Sequence, residues 1–110
     1  MVNGDDFIAV LKYKTTEEGG RKSPAYSGYR PQVKFHFTEM HTSGRQTFID
    51  REIVYPGETV RAYIKITSPH LFERLLSEGL EYEFREGDTI IGTGIIITIL
   101  NSILNKNIPH

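Results

Sequence analysis

Two glycine-rich stretches hold the side chains best suited to chemistry. Glu17-Glu18-Gly19-Gly20-Arg21-Lys22-Ser23 and Gly28-Tyr29-Arg30-Pro31-Gln32 bring the cations Arg21, Lys22 and Arg30 close in sequence to Tyr26, Tyr29 and the amide of Gln32. Guanidinium and ammonium groups grip phosphate oxygens, an amide donates hydrogen bonds, and a tyrosine ring stacks or packs. That combination suits the sugar–phosphate backbone of RNA. It suits equally well a structural loop locked by pairing of Arg21 or Arg30 with Glu17 or Glu18.

No other group of residues carries a comparable signal. Gly19-Gly20-Arg21-Lys22-Ser23 has some flavour of a phosphate-binding loop, but it lacks the required spacing and runs into Pro24 instead of a helix. His36 and His41 could hold a metal only with a convergent third ligand such as Glu39, and surface histidines are the simpler reading. Glu81 and Glu83 alternate on one strand face, as solvated strands commonly do. With no cysteine in the chain, disulfides, thiol catalysis, zinc thiolate sites and iron–sulfur clusters drop out together. The expectation is a binding module, with no catalytic residues, no metal, no cofactor and no evident small-molecule substrate.

These residues must be positioned by strands. Phe7 to Tyr13 reads as the first, and Thr15 to Pro31 as a long shaped connection. Val33, Phe35 and Phe37 alternate with Lys34, His36 and Thr38, which predicts a strand with those three aliphatic and aromatic residues in the core. A polar turn is expected over His41 to Arg45, then a strand from Thr47 to Tyr55 and a tight turn at Pro56-Gly57. Val60, Ala62, Ile64 and Ile66 make the clearest alternation, stopped by Pro69. Leu71, Phe72, Leu75 and Leu76 predict a short helical turn ending at Gly79. Leu80 to Arg85 and Thr89 to Leu100 form a final hairpin around Glu86-Gly87-Asp88. Gly92 and Gly94, two apart on one face, imply strong curvature or a close backbone approach.

The pattern gives six strand candidates and one helical interruption: a small all-β antiparallel barrel or sandwich, closure being favoured because it removes sheet edges. At 110 residues the chain fits a single domain. It can bury roughly two-thirds of its unfolded surface without staples. The core should span about 7–100, with a polar tail over 101–110 that is frayed or held by Ile103 and Leu104 alone. Thirteen basic residues against fourteen acidic ones argue against a generic basic coat. The charge is nevertheless uneven: six cations fall between Lys12 and Lys34, and six carboxylates between Glu73 and Asp88. Neither a secretory leader nor a membrane-length apolar run is read in the sequence, so the expected location is cytoplasmic.

Taken in order, Glu17-Glu18-Gly19-Gly20-Arg21, Gly28-Tyr29-Arg30-Pro31-Gln32, Phe35-x-Phe37, Pro56-Gly57, Gly79-Leu80, Phe84-x-Glu86-Gly87 and Gly92-x-Gly94 resemble the C-terminal β-barrel, the third domain, of bacterial elongation factor Tu. The resemblance runs from about Phe7 to Leu100. It implies a six-stranded antiparallel Greek-key barrel, occurring here without the GTPase domain that performs the family's chemistry. It also implies contacts to the acceptor and T-stem backbone of aminoacyl-tRNA and to a nucleotide-exchange factor. On that basis the candidate RNA-binding residues are Arg21, Lys22, Tyr29, Arg30, Gln32, Glu86 and Gly87.

The chain also departs from the family pattern. Lys22 replaces a histidine, Ser68 a lysine, and Asp88-Thr89 a Gly-Arg pair, while His41 stands near a common threonine. Lost cations weaken phosphate binding, and the avidity of neighbouring domains is missing. The expected partner is therefore tRNA or other RNA, bound weakly, or a translation-associated protein or separately encoded GTPase. The alternative is a protein-interaction or scaffold domain that has lost tRNA binding. A shared exposed basic face of Arg21, Lys22, Arg30 and Gln32 favours RNA, and their burial against Glu17, Glu18 or Glu86 favours the scaffold.

Overall fold

The computed structural model describes residues 4–107. Six strands close into an antiparallel barrel: β1 (Phe7–Tyr13), β3 (Gln32–Phe35), β4 (His41–Phe48), β6 (Thr59–Ile66), β7 (Glu81–Glu86) and β8 (Thr89–Ile99), in the spatial order β1-β6-β4-β3-β7-β8. Strands β3, β4 and β6 are neighbours in sequence order, and β7 returns to lie beside β3, which is the Greek-key arrangement. A two-stranded sheet, β2 (Ala25–Tyr26) with β5 (Ile53–Val54), braces the long loop after β1.

Alternation fills the interior. Phe7, Ala9, Leu11 and Tyr13 of β1, Val60 to Ile66 of β6 at every second position, and Tyr82 and Phe84 of β7 are all buried. Edge-on ring contacts link Phe7 with Tyr82 and Tyr13 with Phe84 at centroid distances of 5.8 and 5.0 Å, a favourable aromatic geometry. Gly92 and Gly94 face inward on β8 because the Phe84 and Tyr82 rings lie across them. A Cβ at Gly94 would sit 2.5 Å from Tyr82 Cζ. Close approach is thus the reason for the glycine pair. Register irregularities after Ile8 on β1 and Phe84 on β7 add local bend.

Four expectations need correction. His41 to Arg45 is the first half of β4, not a turn. It looks polar because its inward positions in that half are Thr42, whose hydroxyl is buried, and Gly44, whose space is taken by the Val33 and Ile64 methyls. The strand expected over Thr47 to Tyr55 breaks after Phe48, where Asp50 adopts a positive φ of 68°, and only Ile53–Val54 resumes as β5. Phe37 lies beyond the end of β3, exposed, its ring stacked on Phe35 at 5.7 Å. The expected helical turn is present, but as a 3-10 turn over Pro69–Phe72 that stops at Glu73 and not at Gly79, and it buries Phe72 while leaving Leu71 and Leu75 exposed.

The tail is packed over its described part. A second 3-10 turn, Ser102–Leu104, buries Leu104, and Asn105 bridges Leu76 in parallel. The buried Asp6 carboxylate accepts from Ile66 N–H at 2.8 Å and from Asn101 Nδ2 at 2.9 Å. One side chain so ties β1, β6 and the tail together, a role that only its burial among neighbouring backbone reveals. The remaining residues of the tail expected to fray, 108–110, lie outside the described part.

Candidate nucleic-acid interface

At one end of the barrel the loop after β1, the start of β3 and the β7–β8 hairpin converge. The loop is shaped by backbone demands. Gly20 N–H donates to Thr15 O at 2.9 Å, and a Cβ there would lie 2.5 Å from Lys14 O. Glu18 accepts from Thr15 N–H at 2.9 Å; that backbone bond, then the Thr15 hydroxyl, lowers its carboxyl pKa. Glu18 therefore closes its own turn and does not reach an arginine.

Arg21 is committed to the barrel. Its Nη1 is paired with Glu86 Oε2, its Nη2 donates to Pro24 O at 3.3 Å, and its guanidinium lies 4.6 Å from the centre of the Tyr29 ring. Tyr29 donates its hydroxyl to the same Glu86 oxygen. Burial, and next the bond to Glu86, raise the Tyr29 pKa well above its ordinary value. Burial alone would lower the Arg21 pKa, but the Tyr29 and Glu86 contacts outweigh it and raise it. Three predicted site residues thus form one internal network, with the loop's arginine paired to Glu86 and not to Glu17 or Glu18. Of the three carboxylates weighed from sequence the partner is the one 65 residues away in the chain, which gives Arg21 a structural role.

Because Glu86 is 43% exposed, water screens the pair. Glu86→Ala should cost only about 0.5–1 kcal/mol, measured by urea unfolding. A loss of several kcal/mol would show that the network holds the whole loop instead of one side chain.

The other predicted residues face outward. Lys22 is exposed beside the network, and Gly87 sits at the hairpin tip with a positive φ of 59°, as the first residue of a two-residue turn requires. Arg30 and Gln32 are exposed on the outer face, where Lys34 follows them along β3. Gln32 stands between Arg85 of β7 and Ser43 of β4. Arg30 reaches across β4 to place Nη1 3.4 Å from Thr67 Oγ1. The seven predicted residues therefore divide: Arg21, Tyr29 and Glu86 are turned toward one another, and Lys22, Arg30, Gln32 and Gly87 are open to a ligand. Arg45, Lys65 and Arg85 share the outer face near Gln32 and were missed by motif reading; strand register is the only signal that finds them.

Among the described residues no group of three potential metal ligands converges, and no helix is long and apolar enough to cross a membrane. The barrel, the Greek-key order and the converging loops agree with one comparison. The sequence model of the elongation factor Tu C-terminal domain matches residues 2–100, and the chain belongs to that family.

Proposed function

We propose that this domain binds the backbone of tRNA or a related RNA, weakly when acting alone. The observation that carries the reading is the outward-facing line of Arg30, just before β3, with exposed Gln32 and half-buried Lys34 on β3, flanked by Lys22 and the Gly87 turn. Cations separated by an amide donor match a charged backbone better than they match a base edge, so the contact positions RNA without reading sequence. The burial of Arg21 against Glu86 removes one cation from that surface and keeps affinity low.

Titration with aminoacyl-tRNA near physiological salt, about 150 mM, is the direct test. The expected Kd lies in the range of about 10⁻⁴–10⁻⁶ M and weakens steeply as salt rises. Submicromolar affinity would overturn the weak-binding part. No binding even at about 50 mM salt would remove RNA as the ligand. In that event a protein-interaction role becomes the better reading. It draws on the exposed Phe37, Met40, Leu71 and Ile103 at or near the barrel end away from the Arg21 loop.

A further inference from the structure

The register of β3, β4 and β6 builds a feature that no short motif contains. Gln32 pairs with Ser43, and the same alignment continues backward through Gly44 N–H to Pro31 O at 3.0 Å and Gln46 N–H to Tyr29 O at 2.8 Å. That continuation sets Arg30 opposite Arg45. On the next strand Arg45 pairs directly with Lys65. All three side chains are on the outer face, since Gly44, Gln46, Ile64 and Ile66 take the inward positions. Neighbouring strands lie about 4.8 Å apart, so the three cations cross the barrel wall in a line about 10 Å long.

Beside this line runs a second, Gln32–Ser43–Thr67, in which the Ser43 and Thr67 hydroxyls are 2.5 Å apart and Thr67 also meets Arg30. Three cations alongside an amide and two hydroxyls is a surface for phosphodiester oxygens and sugar hydroxyls. Among the described residues the ion pair to this row comes from Asp5. The Asp5 side chain is fully buried, with Oδ1 3.9 Å from Arg45 Nη2, and neither of its oxygens has a hydrogen-bond partner. Burial raises the Asp5 carboxyl pKa, against the lowering influence of Arg45 and then Lys65. The Lys65 ammonium donates to the neutral Gly4 carbonyl at 2.9 Å and also acts electrostatically on Asp5.

We infer that Arg30, Arg45 and Lys65 form a second phosphate-gripping row, which carries the RNA footprint from β3 across β4 to β6. The inference rests on the RNA reading above, and its test separates the two. The probe is a short fluorescent RNA duplex titrated between about 50 and 200 mM salt. Lys65→Gln and Arg45→Gln together should lower affinity about tenfold at the low-salt end, and should reduce the salt slope by about two. Lys65→Gln alone, on the solvent side of β6, should show about half of that slope change and guards against loss of folding in the Arg45 variant. Asp5→Asn removes the opposing charge and should move affinity the other way, by a few fold, a sign that a merely structural role would not produce.

If wild-type protein binds the duplex and the Arg45 and Lys65 variants match it in affinity and slope, while Arg30→Gln weakens it, the second row is wrong and the β3 line stands. If wild-type protein does not bind at the lowest salt, both readings fail.

Discussion

Gly92→Val is expected to destabilise the barrel by about 3 kcal/mol or more, the upper end of what overpacking a core costs. Gly92 stands opposite Phe84 in the β7–β8 register, and the ring crosses directly over its α-carbon. A Cβ would also lie 2.7 Å from Lys12 O, an atom fixed by the β1–β8 ladder. Phe84 cannot swing aside, because it is fully buried and packed edge-on against Tyr13. Strain therefore falls on the strand pair that closes the barrel. Gly79→Ala provides the contrast. Nothing lies within 4 Å of a Cβ there, and the cost reduces to the positive φ of 91°, about 1–2 kcal/mol. A cycle combining Gly92→Ala with Phe84→Leu locates the cause, since a smaller side chain at 84 should recover about 1 kcal/mol or more. Strict additivity of the two changes would mean that the ring is not what excludes a Cβ.

This glycine pair also shows what the chain tells in advance. Two glycines at a spacing of two inside a β-branched run implied strong curvature or a close backbone approach, and the groups that come close are chiefly the Phe84 and Tyr82 rings of the preceding strand. The alternation in β1 and β6 was equally direct, because each has one face in the core. Legibility failed where a strand does not advertise itself by side chains. In the first half of β4 the inward positions are Thr42 and Gly44, neither of them a large apolar residue, so a strand reads as a polar turn. At Phe37 the alternation continues for two residues after the ladder has stopped, so an exposed ring reads as core. The 3-10 turn at Pro69–Phe72 spaces its apolar residues nearly as an α-helix does, and only three-dimensional packing separates buried Phe72 from exposed Leu71.

The candidate site divides along similar lines. Local motifs located the loop, since Gly20, Gly28 and Pro31 are backbone requirements written in sequence. They could not tell a phosphate-gripping arginine from a structural one. Arg21 and Arg30 look alike as residues, yet Arg21 is held by Glu86 from the far hairpin and Arg30 lies open. The Arg45–Lys65 pair was invisible for a related reason. Its members stand 20 positions apart, joined only by the β4–β6 register. Charge counts along the chain assign Arg45 and Lys65 to neither the basic nor the acidic stretch. Closure of the barrel sets them beside Arg30.

Two identical substitutions should act with opposite signs. Tyr13 and Tyr82 are both buried, and burial raises the pKa of each hydroxyl, so both remain protonated donors at neutral pH. Tyr13 donates to Oε1 of Gln46, itself almost fully buried. Tyr13→Phe keeps the ring and strands that amide oxygen in the core, a loss of about 1–3 kcal/mol. The Tyr82 hydroxyl is buried with no hydrogen-bond partner. Tyr82→Phe removes a desolvated polar group and keeps the ring over Gly94, so it should gain about 1–3 kcal/mol. Urea unfolding at neutral pH reads both, with unchanged m-values showing that the folded and unfolded states stay comparable. Destabilisation by Tyr82→Phe would reveal a partner at that hydroxyl, such as a buried water held under β8. The expected pair of signs instead makes the Tyr13–Gln46 bond the polar link that fixes the loop end of the barrel. It sits where Gln46 N–H also donates to Tyr29 O, directly beneath the surface proposed to meet RNA.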